Sequence, residues 1–353
     1  MKACSYCGRR NEDIAASCGE CGTEFPGAKI EKPAPEEIDK PLAAPFTDVS
    51  GLDLGFEISA GFSRPDWSLI HEFVRKNVPR DDLADVWNHI VATWLAELAT
   101  DLGGGCRVRR SDSFFCLSDL EAETTRKLLA YTERALGTVR ANLGPAAWSG
   151  YHGKHVLLLF ADLDDYFHYI SHYHKEGKNL LSAGVFIRQG YAHIALPYTS
   201  AFSVQHTVAH ELVHNLLCHL HIPLWLNEGL AVAIEKLVTR SPFYLDQDVA
   251  DRHGNHWNET NIQGFWAGVT YNSPGDDAEL SYSLGEILVN LLSEKGQAFS
   301  SFIQAADWRD AGQEAALNFL GQDLGESLNG FLGQGDWRPR RKAIADYWRK
   351  KPI

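Results

Sequence analysis

The stretch that decides the reading is His210-Glu-Leu-Val-His-Asn-Leu-Leu-Cys-His-Leu-His-Ile-Pro-Leu-Trp-Leu-Asn-Glu-Gly-Leu-Ala231. Around it, from Ser203 to Leu220, Val204, Val208, Leu212 and Leu216 recur every four residues, and His206, His210 and His214 form a second stripe at the same interval. That periodicity predicts a helix buried on more than one face. Side chains at i and i+4 lie one turn apart on one face, so His210 and His214 can reach a single zinc ion at about 2.0 to 2.1 Å. Glu211 is rotated by about 100° from His210. It can stand beside a water on the metal without being a ligand itself.

Two histidines leave such a site incomplete, because a hydrolytic zinc takes three protein ligands and keeps one position open. Glu228 is the candidate third. Ile222-Pro-Leu-Trp225 breaks the first helix and opens a second, whose buried face is marked by Leu226, Leu230, Ala233, Ile234, Leu237 and Val238. Glu228 then falls in the first turn, and Gly229 and Ala231 are small enough to let the two helices approach closely. His206 reads as a supporting or core histidine, His219 and His221 as exposed residues at the helix end, and Cys218, on the same stripe, as a small buried filler or a residue that approaches the site.

Working outward, residues 66 to 102 carry two helical stripes ending at Gly103-Gly-Gly105, and 107 to 117 read as one or two strands. A helix over about 120 to 143, a strand over 155 to 160 and a helix over 164 to 175 follow. Two strands, 184 to 188 and 191 to 196, joined at Gln189-Gly190, lead into the motif. Downstream, Leu284, Ile287, Leu288, Leu291 and Leu292 mark a helix that opens near Tyr282 and closes at Gly296. Segment 251 to 278 either walls a cleft or is a surface insertion. The whole is an α+β pattern.

The amino-terminal 25 residues differ in kind. Cys4, Cys7, Cys18 and Cys21 are spaced Cys-x2-Cys-x10-Cys-x2-Cys, with Gly8 and Gly22 directly after the second cysteine of each pair. In a reducing compartment this pattern reads as a closed structural zinc site. So short a segment would draw most of its folding free energy from the metal. It resembles the zinc ribbons at the amino termini of many bacterial proteins, and a structural or protein-docking role is expected of it. Residues 26 to 48, rich in proline and mixed charge, read as a flexible linker, and 49 to 336 as the main domain. That domain divides into a helical part (64–102), an α/β part (105–200), the motif helices (203–238) and a helical carboxy-terminal part (279–333).

The formal charge of -13 argues against nucleic acid as a partner. No run of eighteen apolar residues occurs, so no membrane partner is expected. The first residues lack the apolar stretch of a secretory leader, which with the cysteine usage predicts a cytoplasmic protein. Residues 338 to 351 hold seven basic side chains against one acid, and the basic tail of 337 to 353 reads as a solvated tail, a helix end or a docking site for an acidic partner.

His-Glu-Leu-Val-His followed by Pro-Leu-Trp-Leu-Asn-Glu-Gly-Leu-Ala resembles the gluzincin zinc metallopeptidases, compact members of the MA peptidase clan. The resemblance spans residues 120 to 305 and is strongest from 184 to 238. It implies a thermolysin-like α+β domain, with a small mixed sheet ending in an edge strand, a motif helix and a mostly helical carboxy-terminal part. It implies His210, His214 and Glu228 as ligands of a catalytic Zn2+, Glu211 as general base and a peptide or protein substrate. By loose analogy Tyr282 stabilises the oxyanion, with Tyr271, His253 and His256 as rivals. The strand beginning at Tyr191, Ala192 and His193 is expected to bind substrate by strand addition. The family's acid four residues past the third ligand is absent, since position 232 is Val, so the group that supports the histidines is open. An endopeptidase is expected, because this chain's only methionine is Met1 and it has no Gly-x-Met-x-Asn segment. The competing expectation is a catalytically silent scaffold whose ribbon does the binding.

Overall fold

The computed structural model of the chain describes residues 2–3, 10–11, 36–37 and 52–350, apart from 104, 151 and 174–182. Contacts divide it into two units, Met1–Glu36 and Glu37–Ile353. In the first, Lys2–Ala3 pairs antiparallel with Arg10–Asn11. Cys4, Cys7, Cys18 and Cys21 lie outside the described residues, as does the expected linker except for Glu36–Glu37, which forms a two-residue strand.

The second unit begins with a hairpin, β1 (Glu57–Ser59) and β2 (Phe62–Arg64), followed by α1 (Trp67–Asn77) and α2 (Leu83–Leu102). The Asp66 side chain starts α1 by accepting from the Leu69 amide at 3.0 Å. Pro79, which has no N–H to donate, separates the two helices. Next come β3 (Arg107–Arg110), β4 (Phe114–Ser118), α3 (Ala122–Leu143), β5 (His155–Phe160), α4 (Leu163–Ser171), β6 (Val185–Ile187) and β7 (His193–Pro197). The motif helices are α5 (Ala201–Leu217) and α6 (Leu224–Thr239), followed by α7 (Gln247–His256), α8 (Ile262–Trp266), α9 (Asp276–Ser293) and α10 (Gln297–Ala305). After short helical turns come α11 (Leu324–Leu332) and α12 (Arg341–Lys350). Among the described residues no helix is long and apolar enough to cross a membrane.

The sheet is small and mixed. From Arg107 onward its strands lie in the order β3-β4-β5-β7-β6, with β4, β5 and β7 parallel and both β3 and β6 antiparallel to their neighbours. Alternation along β5 explains why it reads as an unbroken apolar run. Leu157 and Leu159 pack into a core with α3, α5, α6 and α9, whereas Val156, Leu158 and Phe160 pack into another with α1, α2 and α4. A strand covered on both faces has no polar side. Each such side chain adds about 1.5 to 3 kcal/mol of burial free energy.

Two features depart from expectation. Gly229 does serve a close helix approach, but against α9 rather than α5: a Cβ placed on it would lie 2.4 Å from the Gly285 carbonyl oxygen. A Cβ on Gly285 would in turn lie 2.9 Å from the Trp225 carbonyl oxygen, so the two glycines form the crossing point of α6 and α9. The basic carboxy-terminal segment is not a solvated tail. Trp337 and Ile344 are buried, and Trp266 Nε1 donates to the Trp337 carbonyl at 2.8 Å. Gln263 holds the same turn from both sides, donating to the Arg338 carbonyl and accepting from the Arg340 amide. Arg338 pairs with Asp323 and Glu326, Arg340 with Asp336, and Arg341 with Asp310 and Glu314. The domain boundary expected at 336 therefore moves to the end of α12. Interleaved Trp337, Ile344, Tyr347 and Trp348 carry the packing that a count of charges overlooks.

Candidate metal centre

Ser200 caps α5, its hydroxyl accepting from the Ser203 amide at 3.1 Å, and so sets the register of the histidine stripe. The rings of His210 and His214 lie 4.9 Å apart at 76°. Pro223 starts α6, and Glu228, which lies just past the first turn rather than in it as expected, comes against the pair. Glu228 Oε2 is 3.4 Å from His210 Nε2 and 3.6 Å from His214 Nε2. One ligand atom from each of the three residues lies within 4.8 Å of the others.

Bonds of about 2.0 to 2.1 Å at tetrahedral angles put ligand atoms about 3.4 Å apart. The two measured separations to Glu228 match that spacing, so the donor set fits a tetrahedral cation such as zinc, with two imidazole nitrogens and one carboxylate oxygen. The electrostatics agree. Burial alone would drive His210 towards its neutral form, yet hydrogen bonds to Glu228 and Glu235 and the charge of Glu211 raise its pKa to about 10. Burial opposes ionisation of Glu228 as well, but His214 and His210 bring it down to about 2. A pocket that holds protons this firmly is a pocket of negative potential, and a divalent cation profits from the same field.

The residue that sequence reasoning missed is Glu235. It lies seven residues past Glu228, two turns along the same face of α6. Its Oε2 accepts from His210 Nδ1 at 3.1 Å and its Oε1 from His206 Nδ1 at 2.9 Å. With Nδ1–H donated to a carboxylate, the Nε2 lone pair of His210 points at the metal position. This also gives His206 its role: it holds the second oxygen of Glu235. His214 Nδ1 meets no acceptor among the described residues, so support falls on His210 alone. An acid seven residues on is the available signal, invisible to a search at four.

A cleft of about 480 Å³ opens over the triad, lined by Glu211, Tyr282, Tyr271, Asn227 and Asn272, by Gly184, Val185, Phe186 and Arg188, and by Leu217, Cys218, Leu220, Ile222 and Leu224. Glu211 is buried in the cleft floor at 9% exposure. Tyr282 makes no hydrogen bond to the described residues, and burial followed by the charges of Glu228 and Glu211 pushes its hydroxyl up to about 12, which keeps it a proton donor. The rivals are engaged elsewhere. Tyr271 donates to the Ser281 carbonyl at 2.9 Å and packs edge-on against the Tyr282 ring. His253 is fully buried, accepting from Trp257 Nε1 and bonded to Ser283, and His256 pairs with Asp277. Segment 251 to 278 thus walls the cleft through Tyr271 and Asn272, while its Trp257, Phe265 and Trp266 belong to the core. His219 is half-buried, edge-on against Trp148, rather than exposed as expected, and His221 is exposed. Cys218 is a half-buried cleft residue rather than a core filler, its thiol donating to the Ser149 carbonyl.

The expected substrate strand needs correction. Tyr191, Ala192 and His193 are at most 2% exposed, and β7, which begins at His193, has both edges occupied, by β5 and by β6. His193 Nδ1–H donates to the Tyr191 carbonyl, and its Nε2 accepts from the Tyr169 hydroxyl, so it is a neutral core histidine. The terminal strand is β6, and it is β6 that lines the cleft. The sequence held a usable clue. Tyr191-Ala-His-Ile-Ala-Leu196 is nearly all apolar, as befits an interior strand, whereas the shorter Val185-Phe-Ile187 is flanked by Gly184 and Arg188.

No family model matches the chain, and neither the curated proteins nor the solved structures searched contain a match.

Proposed function

We propose that the chain is a zinc-dependent peptidase, most simply an endopeptidase. The observation that carries this reading is the convergence of His210, His214 and Glu228 at tetrahedral ligand spacing, with Glu211 beside them in an open cleft. His210, His214 and Glu228 would hold the ion. Zinc bound there would supply Lewis acidity, making water acidic enough to attack at neutral pH and polarising the scissile carbonyl.

The chain's own residues do the rest. The Glu211 carboxylate takes the proton of the attacking water and returns it to the leaving amine. The Tyr282 hydroxyl donates to the carbonyl oxygen as it gains charge. The outer edge of β6 offers backbone N–H and C=O groups to an extended peptide, which aligns it across the site. Glu235, through His210, fixes the ring that faces the metal. The four amino-terminal cysteines are proposed to hold a second, structural zinc.

Cleavage of casein that a chelator abolishes and zinc restores is the expected result. Glu211→Gln should remove the activity while zinc content stays at roughly two ions per chain, one catalytic and one structural. Retained cleavage in that variant would refute the assignment of the base.

A further inference from the structure

Among the described residues lining the cleft, Arg188 is the only lysine or arginine. It is exposed, and it forms no ion pair with the described residues in a chain of formal charge -13. Its position follows from β6, which it directly follows in the chain. Alternation along β6 sends Val185 and Ile187 to the core behind the sheet and Phe186 to the core that contains α5, so Gly184, Phe186 and Arg188 share the face toward α5.

Two observations give the direction. A Cβ on Gly184 would touch the Thr207 methyl at 2.5 Å, and at the other end Arg188 and Cys218 line the same cleft. Strand β6 therefore runs alongside α5 in the same sense, and the ligand pair His210 and His214 lies between its ends. Cys218 is four residues past His214, about 6 Å further along the helix. A peptide laid on β6 advances about 3.4 Å per residue, so Arg188 is reached about two residues from the metal position.

On the reading of this site as a peptidase, we infer that Arg188 selects peptides carrying a carboxylate about two residues to one side of the cleaved bond. The carboxylate is either an acidic side chain or the free carboxy terminus. Cys218 apart, the other ionisable groups of the described lining cluster at the metal end, and the neighbouring Leu217, Leu220, Ile222 and Leu224 are apolar, so among the described residues no second cation lines the cleft.

The test uses matched peptides with Glu, Gln or Lys two residues to either side of a common cleavable bond, each with a free or an amidated carboxy terminus. The full chain should prefer one placement of Glu over Gln by about fivefold in kcat/KM, the scale of a partly exposed ion pair. Arg188→Glu should reverse the order in favour of Lys, with zinc content and melting temperature unchanged because Arg188 is exposed and forms no ion pair among the described residues. A preference that follows amidation instead would identify the terminal carboxylate as the ligand. Equal kcat/KM for all peptides, or a preference that survives Arg188→Glu, would overturn the inference while leaving the peptidase reading intact. If no peptide is cleaved, the peptidase reading fails. Fluorescence anisotropy with the same peptides then decides the Arg188 assignment separately, by whether Kd follows the carboxylate and reverses in the variant.

Discussion

Replacing Glu235 by Gln removes one negative charge and keeps the side chain's shape. In the native arrangement both carboxylate oxygens accept, from His206 at 2.9 Å and from His210 at 3.1 Å. A glutamine has one accepting oxygen, so its NH2 must face one of the two Nδ1–H groups. Either that hydrogen bond is lost, or an imidazole changes tautomer; in His210 the change would put a proton on the nitrogen aimed at the metal. Loss of a group supporting a metal-bound histidine typically costs 10- to 100-fold in metal affinity. That corresponds to about 1.4 to 2.7 kcal/mol. The assay is competition for zinc against a chromophoric chelator, with Glu211→Gln as the control that should keep its affinity. Glu235→Gln should bind zinc at His210, His214 and Glu228 about 10- to 100-fold more weakly, zinc proposed for the four amino-terminal cysteines should be unaffected, and activity should return in part at saturating zinc. Unchanged affinity would refute the claim that Glu235 orients His210.

Three further predictions follow from other parts of the fold. Gly229→Ala forces apart α6 and α9 where a Cβ would meet the Gly285 carbonyl; a loss of about 1 to 3 kcal/mol is expected in urea unfolding, and an unchanged midpoint would contradict the crossing. Tyr282→Phe should lower kcat by about 100-fold or more, as for removal of an oxyanion donor, with zinc content intact; a kcat within about twofold of native would remove Tyr282 from the mechanism. Burial, as the largest cause, holds His155 and His193 down to about 4. Since the unfolded chain takes up these protons near pH 6.5, stability is full above that value and falls as pH drops from about 6.5 to 4, by about 1.4 kcal/mol per pH unit for each histidine. A flat urea midpoint across that window would show that the two rings are not buried neutral.

How far the sequence could be read depended on the range of the signal. His210, Glu211 and His214 lie within five residues of one helix, and helix geometry alone brings the two histidines to one face. Glu228 followed from the need for a third ligand and from a proline that starts the next helix in the right place. Glu235 is equally local but carries no motif; its role appears only when α6 is laid across α5. That β7 has no free edge was not legible, because burial of a strand's faces and occupancy of its edges are different properties, and its edges are taken by strands remote in sequence or joined to it by a turn. Gly285 and the anchoring of α12 depend on tertiary contacts. The position of Tyr282 beside Glu211 and Glu228 likewise requires the α6–α9 crossing at Gly229 and Gly285.

Binding of one zinc ion by His210, His214 and Glu228 underlies every functional role proposed above. Anomalous diffraction at the zinc edge from crystals of the metal-replete protein tests for it. A peak is expected between the three side chains, with two nitrogens and one carboxylate oxygen at about 2.0 to 2.2 Å and Glu235 still bridging His206 and His210. Zinc-replete crystals without a peak there, or with Glu228 turned away from the ion, would contradict it.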